Sequence, residues 1–111
     1  MVNLENLSLQ WLCRRAELLS SNGYVHRALV YQLVAYHMHP TDEGVLRGLA
    51  KMFSLAGDGA RALDVVSKLQ EMEMDSTDLS LLKANAYLAM GNTEETSKIL
   101  AQHLSASGGL E

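Results

Sequence analysis

Glycines recur at a fixed step of 34 residues: Gly23, Gly57 and Gly91. The same step relates Ala16, Ala50 and Ala84, then Leu19, Phe53 and Tyr87, and then Ala28, Ala62 and Thr96. A small residue, a large apolar residue, a turn glycine and a second small residue thus repeat together. A period of this length describes one supersecondary unit that cannot bury its apolar face alone and must stack on its neighbours. Stacks of this kind build extended surfaces that hold other polypeptides.

Three such units nearly fill the 111 residues, so one domain is expected. Hydrophobic residues make up 48% of the chain, enough for a stacked core. The net charge of −4 argues against nucleic acid as a partner, because phosphate recognition needs the opposite sign. The single cysteine, Cys13, leaves no internal disulfide and suits a reducing compartment. The first residues lack the basic and apolar runs of a secretory leader, and no apolar stretch is long enough to span a bilayer. Residues 105–111 read as a flexible tail or a cloning remnant.

The spacing predicts six helices. The first covers residues 6–21, with Leu9, Leu12, Ala16 and Leu19 in one stripe, and stops at Ser20-Ser21-Asn22-Gly23. The second covers 25–38 and ends ahead of Pro40, since the residue before a proline avoids helix. Thr41 or Asp42 caps the third, which carries Val45, Leu46, Leu49, Ala50 and Phe53. Ala56-Gly57-Asp58-Gly59 turns the chain into the fourth, with Ala62, Leu63, Val66 and Leu69. Asp75, Ser76 or Thr77 caps the fifth, with Leu82, Ala86, Tyr87 and Met90 on its stripe. Gly91-Asn92-Thr93 leads into the sixth, with Ile99 and Leu100. Each glycine takes the left-handed conformation that a short turn between antiparallel helices needs.

This pattern resembles the tetratricopeptide repeat (TPR) over about residues 8–104. The resemblance implies an all-α fold, three TPR-like helix–turn–helix repeats in a short right-handed solenoid, within one domain of residues 1–104. The repeats fall at about 9–42, 43–76 and 77–104. The third is the loosest. Lys83 stands for a core leucine, His103 for a small packing residue, and no proline closes it. Such arrays usually end in an extra solvating helix, for which the chain has no room. Low stability alone, self-association or completion by a partner is therefore expected.

In a TPR the inner wall is built from the first helix of each repeat. The resemblance therefore points to a partner-binding groove of Arg14, Glu17, Gly44, Arg47, Gly48, Lys51, Leu81, Leu82, Asn85 and Leu88, with Cys13 and Asp78 beside it. Leu81, Leu82 and Leu88 would form an apolar floor, and Arg14, Arg47 and Lys51 a basic side. The other reading of Leu81 and Leu88 is packing between repeats. Gly44 and Gly48 each cost a helix interior about 1 kcal/mol against alanine, so a neighbouring helix or a bound chain must come close. Helix two is apolar around its circumference, which indicates burial on more than one side. Leu29, Val30, Leu33 and Tyr36 are its candidates for a second interface, the alternative being burial within the repeats.

The histidines do not suit a metal, because His37 and His39 are two apart whereas helical ligand pairs are four apart. No base is placed for Cys13 as a nucleophile. No cofactor, metal or catalytic constellation is expected, and the chain reads as a binding protein and not an enzyme.

A small acidic three-repeat chain is similar to the TPR-like chaperones of bacterial type III secretion. The YscY-type is nearest, on the helix before the first turn glycine, the stretch 23–40 ending in Met-His-Pro, and the turn Ala-Gly-Asp-Gly-Ala-Arg-Ala. The YscG-type, which holds a needle subunit with a YscE-type helper, is second. That resemblance implies a cytoplasmic bacterial virulence chaperone. It would bury an amphipathic helix of a small secreted (YscX-type) or needle-type protein and dock at an export gate. The alternative is a generic TPR scaffold or oligomerisation module, joining other proteins or copies of itself. Capture of a heat-shock-protein carboxylate is disfavoured, since Cys13 and Glu17 stand where that clamp needs lysine and asparagine.

Overall fold

The computed structural model describes residues 4–72 and 76–106, with side chains over 8–72 and 79–105. These residues form six helices and no strand: α1 Leu4–Ser21, α2 Val25–Met38, α3 Glu43–Leu55, α4 Gly59–Glu71, α5 Ser76–Ala89 and α6 Thr93–Ala106. Helix α1 starts two residues before the position expected. Helix α6 continues through Ser105 and Ala106, which had been assigned to the tail; 107–111 lie outside the described residues. The capping side chain expected at Asp75, Ser76 or Thr77 also lies outside them.

The three glycine turns have one geometry. Gly23, Gly57 and Gly91 take φ of +88°, +85° and +78°. Each glycine amide donates to the carbonyl three residues back. The next amide reaches five back: Tyr24 N to Leu19 O at 2.9 Å, Asp58 N to Phe53 O at 2.8 Å, and Asn92 N to Tyr87 O at 2.9 Å. These bonds satisfy carbonyls that the ending helix leaves open. The residue after each glycine then starts the next helix. Asp58 Oδ1 accepts from Arg61 N at 3.2 Å, and Asn92 Oδ1 from Glu95 N at 3.1 Å. Tyr24, at the same place in the first turn, gives no side-chain cap.

The result is three helical hairpins, α1–α2, α3–α4 and α5–α6, packed in chain order through α2 on α3 and α4 on α5. Helix α3 also touches α1 and α5, so the first helices of the hairpins line one side. The recurring small residues Ala16, Ala28, Ala50, Ala62, Ala84 and Thr96 are all buried at these contacts. The main core lies between α3, α4 and α5, with Leu46, Leu49, Phe53, Val66, Leu69 and Leu79. A smaller cluster joins Ala16, Ala28 and Met52 between the first and second hairpins. The middle hairpin is covered on both sides and holds the largest fully buried side chains: Leu46, Met52, Leu69, Val45 and Val66.

Gly59 has a different task from Gly57. It sits in the first turn of α4, buried, where a Cβ would overlap the Ala86 carbonyl oxygen of α5 and the side chain of Met90 just beyond that helix. Its missing side chain lets α4 and α5 cross closely.

Candidate functional site

The 34-residue step puts chemically unlike residues at equivalent places on α1, α3 and α5. One row runs Cys13, Arg47, Leu81, and the next runs Glu17, Lys51, Asn85. The structure brings both rows to one groove of about 440 Å³. Helix α3 adds Gly44, Gly48 and Met52, α5 adds Leu82, and Gln32 enters from α2. A neighbouring hollow of about 270 Å³ shares Lys51 and Asn85 and continues along Ser54, Leu55, Leu88 and Ala89. The Ser54 hydroxyl oxygen is buried without a hydrogen-bond partner among the described residues.

Of the ten residues expected to form the groove, eight line the larger cavity. Leu88 lines the smaller one, and Arg14 is exposed and lines neither. Cys13 does line the groove, while the side chain of Asp78 lies outside the described residues. Leu81 is exposed, whereas Leu82 is half-buried and leans on the main core.

The basic side is less basic than its composition. Asp42 caps α3, its carboxylate accepting from Val45 N at 3.0 Å, and this fixes the first turn. Glu43, on that turn, then holds Arg47 one turn later, Nε to Oε2 at 2.8 Å. Lys51 is exposed and is the other cation lining the groove.

The space at Gly48 is occupied. The Gln32 side chain fills it, and a Cβ on Gly48 would overlap the Gln32 amide. Gln32 is buried and donates Nε2–H to Val45 O at 3.0 Å. The close neighbour is thus a helix of the chain itself. A Cβ on Gly44 would meet only Asp42 Oδ1, at 3.3 Å. Gln32 was not singled out in the sequence, although it is the one polar residue inside the apolar stretch of α2 from Ala28 to Tyr36.

Beside Gln32, burial pushes the Cys13 thiol above its ordinary value of 9.0. The Asp42 carboxylate adds to this, a hydrogen bond with Gln32 opposes it, and Glu17 raises it further. The neutral thiol is the stable form, a poor nucleophile.

The second candidate surface divides. Leu29, Leu33 and Tyr36 are half-buried against the main core, and Tyr36 accepts a hydrogen bond from Lys68 Nζ at 3.0 Å. Val30, Val34 and Met38 are exposed, so the apolar circumference of α2 is only partly covered within the chain. Among the described residues no group of histidine, cysteine and acid side chains is placed to hold a metal ion. None of their helices is long and apolar enough to cross a membrane.

No protein-family model matches the chain, and no curated protein sequence matches it.

Proposed function

We propose that this chain is a protein-binding module of the TPR kind, whose three hairpins form a solenoid that holds an amphipathic helix in the groove of α1, α3 and α5. The observation that carries this reading is the groove itself. It sets Leu81, Leu82 and Leu88 of α5 in cavities shared with Glu17 of α1 and with Arg47 and Lys51 of α3. An amphipathic helix has the matching pattern, with apolar anchors one turn apart and charges at the margin. Burial of the anchors supplies affinity, and the charges set direction.

The narrower form of the proposal is a cytoplasmic chaperone of bacterial type III secretion, keeping a small secreted or needle-type helical protein from aggregating. Its support is the likeness of residues 23–40 and of the second turn to the YscY-type chaperones. A pull-down from the native host tests both levels. Recovery of a small secreted helical protein, released by Leu81→Asp, supports both. Another partner released by the same substitution keeps the groove and removes the chaperone. A partner indifferent to Leu81→Asp removes the groove.

A further inference from the structure

The first helix of each later hairpin buries two apolar positions against the hairpin before it. In α3 they are Val45 and Met52, each 1% exposed. Gln32 of α2 bonds to the Val45 carbonyl, and Met52 packs with Ala28, Leu29 and Tyr31. In α5 they are Leu79 and Ala86, 4% and 0% exposed, in the core shared with α4. At the same places in α1 stand Trp11 and Leu18, which are 56% and 55% exposed. These are residues for a covered position, left uncovered. Trp11 also meets Tyr31 of α2 edge to face, ring centroids 5.7 Å apart, and exposed Val34 lies one turn beyond on that side of α2.

The other end of the stack carries the counterpart. Helices α2 and α4 each present a buried residue to the following hairpin, Gln32 at 2% and Val66 at 1%. The equivalent in α6 is Leu100, 39% exposed, with small Ser97 and Ala101 on the same side. One copy therefore exposes both halves of an interface that it already makes twice internally, α2 on α3 and α4 on α5.

We infer that two copies of this chain associate head to tail, α6 of one covering the Trp11–Leu18 face of the other. Charge favours this pairing over two like faces. Arg14 and Arg15 flank Trp11 and Leu18 on α1, and Arg27 lies on the adjoining α2, whereas α6 carries Glu94 and Glu95 against one lysine, Lys98, which pairs with Glu95 at 3.9 Å and leaves Glu94 in excess. Two α1 faces would oppose four arginines, six with the Arg27 of each α2, and like charges across a contact disfavour it. Arg15 occupies the place of buried Leu49, but Lys83, at that place in α5, is half-buried. A long cationic side chain lies along an apolar surface with its head in water. Such a contact does not close at two copies, so assemblies lengthen with concentration.

Sedimentation velocity on the 111-residue chain and its variants tests this. The parent should exceed its 12.2 kDa monomer mass, and pass beyond a dimer, as concentration rises from low to high micromolar. Trp11→Glu and Leu100→Glu should each stay monomeric, with unchanged helical circular dichroism because both sites are exposed. An equimolar mixture should form a one-to-one dimer and stop, since each variant keeps one intact end. Leu18→Glu replaces Trp11→Glu should that variant lose helicity. A parent that is monomeric throughout overturns the inference. So does a mixture that stays monomeric, or a Leu100→Glu variant that still dimerises through its α1 face.

Discussion

Gln32 reaches out of α2 into the space that Gly48 leaves in α3. Glycine inside a helix usually weakens it, and Gly→Ala there stabilises by about 1 kcal/mol. Here the sign reverses. The new methyl would expel a buried amide from its bond to Val45 O. Gly48→Ala should destabilise by about 1–3 kcal/mol, the range for stranding a buried polar group. Gly44→Ala should change stability far less, since only Asp42 Oδ1 must shift. With Gln32→Ala in place, Gly48→Ala should become neutral or favourable, a coupling that chemical denaturation of the four proteins measures. Stabilisation by Gly48→Ala alone would show that Gln32 does not hold this position.

Two glycines two residues apart answer to different physics. Gly57 is needed for its φ of +85°, with nothing near its missing side chain, and Gly59 for the closeness of Ala86 and Met90. Asparagine visits the left-handed region readily, so Gly57→Asn should be nearly neutral. Gly59→Asn should force α4 from α5 and lower stability by about 1–3 kcal/mol. Thermal unfolding of the pair distinguishes them; equal losses would contradict the assignment.

The helices and their turns were legible because the 34-residue step repeats the residues that make them: a glycine for the left-handed turn and alanines where helices cross. Eight groove residues were legible for the same reason, since a fixed step places equivalents side by side. What escaped was pairwise. That Gln32 fills the space beside Gly48 depends on how α2 lies on α3, which no local pattern encodes. Arg47 was read as a cation without regard to Glu43 one turn before it. The exposed face of α1 was missed because Leu9, Leu12, Ala16 and Leu19 already made a complete stripe. Aligning Trp11 with Val45 and Leu79 was the signal that would have found it.

The groove wall should also be readable through Cys13. Its pKa is raised, so the fold favours the neutral thiol. The stability linked to this is full below the unfolded value and falls as pH rises through the folded one. Alkylation by iodoacetamide should therefore need a higher pH in the native chain than in the urea-unfolded chain. Asp42→Asn, which keeps a capping side chain but removes the charge, should shift the native profile toward lower pH. A native profile matching the unfolded one would contradict the burial of this thiol beside Gln32 and Asp42.

The groove substitutions should separate by mechanism. Leu81→Asp would place a charge against the apolar face of a bound helix. It should weaken binding by about 2 kcal/mol or more, mostly through faster dissociation. Lys51→Glu should slow association and do so mainly at low salt, as expected of an exposed charge at a margin. Arg47→Glu should have a second effect, because it loses the bond to Glu43 and sets two carboxylates one turn apart on α3. Like charges at that spacing cost a helix a few tenths of a kcal/mol, about 0.2–0.5. Arg47→Gln removes the repulsion while keeping the loss of charge. If charge steering is the role of Arg47, Gln and Glu should both reduce the association rate, Glu more. If its role is to hold the first turns of α3, Gln should restore stability and leave the rate at the parent value. Stopped-flow association with the partner recovered from the host, at two salt concentrations, decides between the roles. An unchanged rate for Lys51→Glu together with unchanged affinity for Leu81→Asp would place the partner outside the groove.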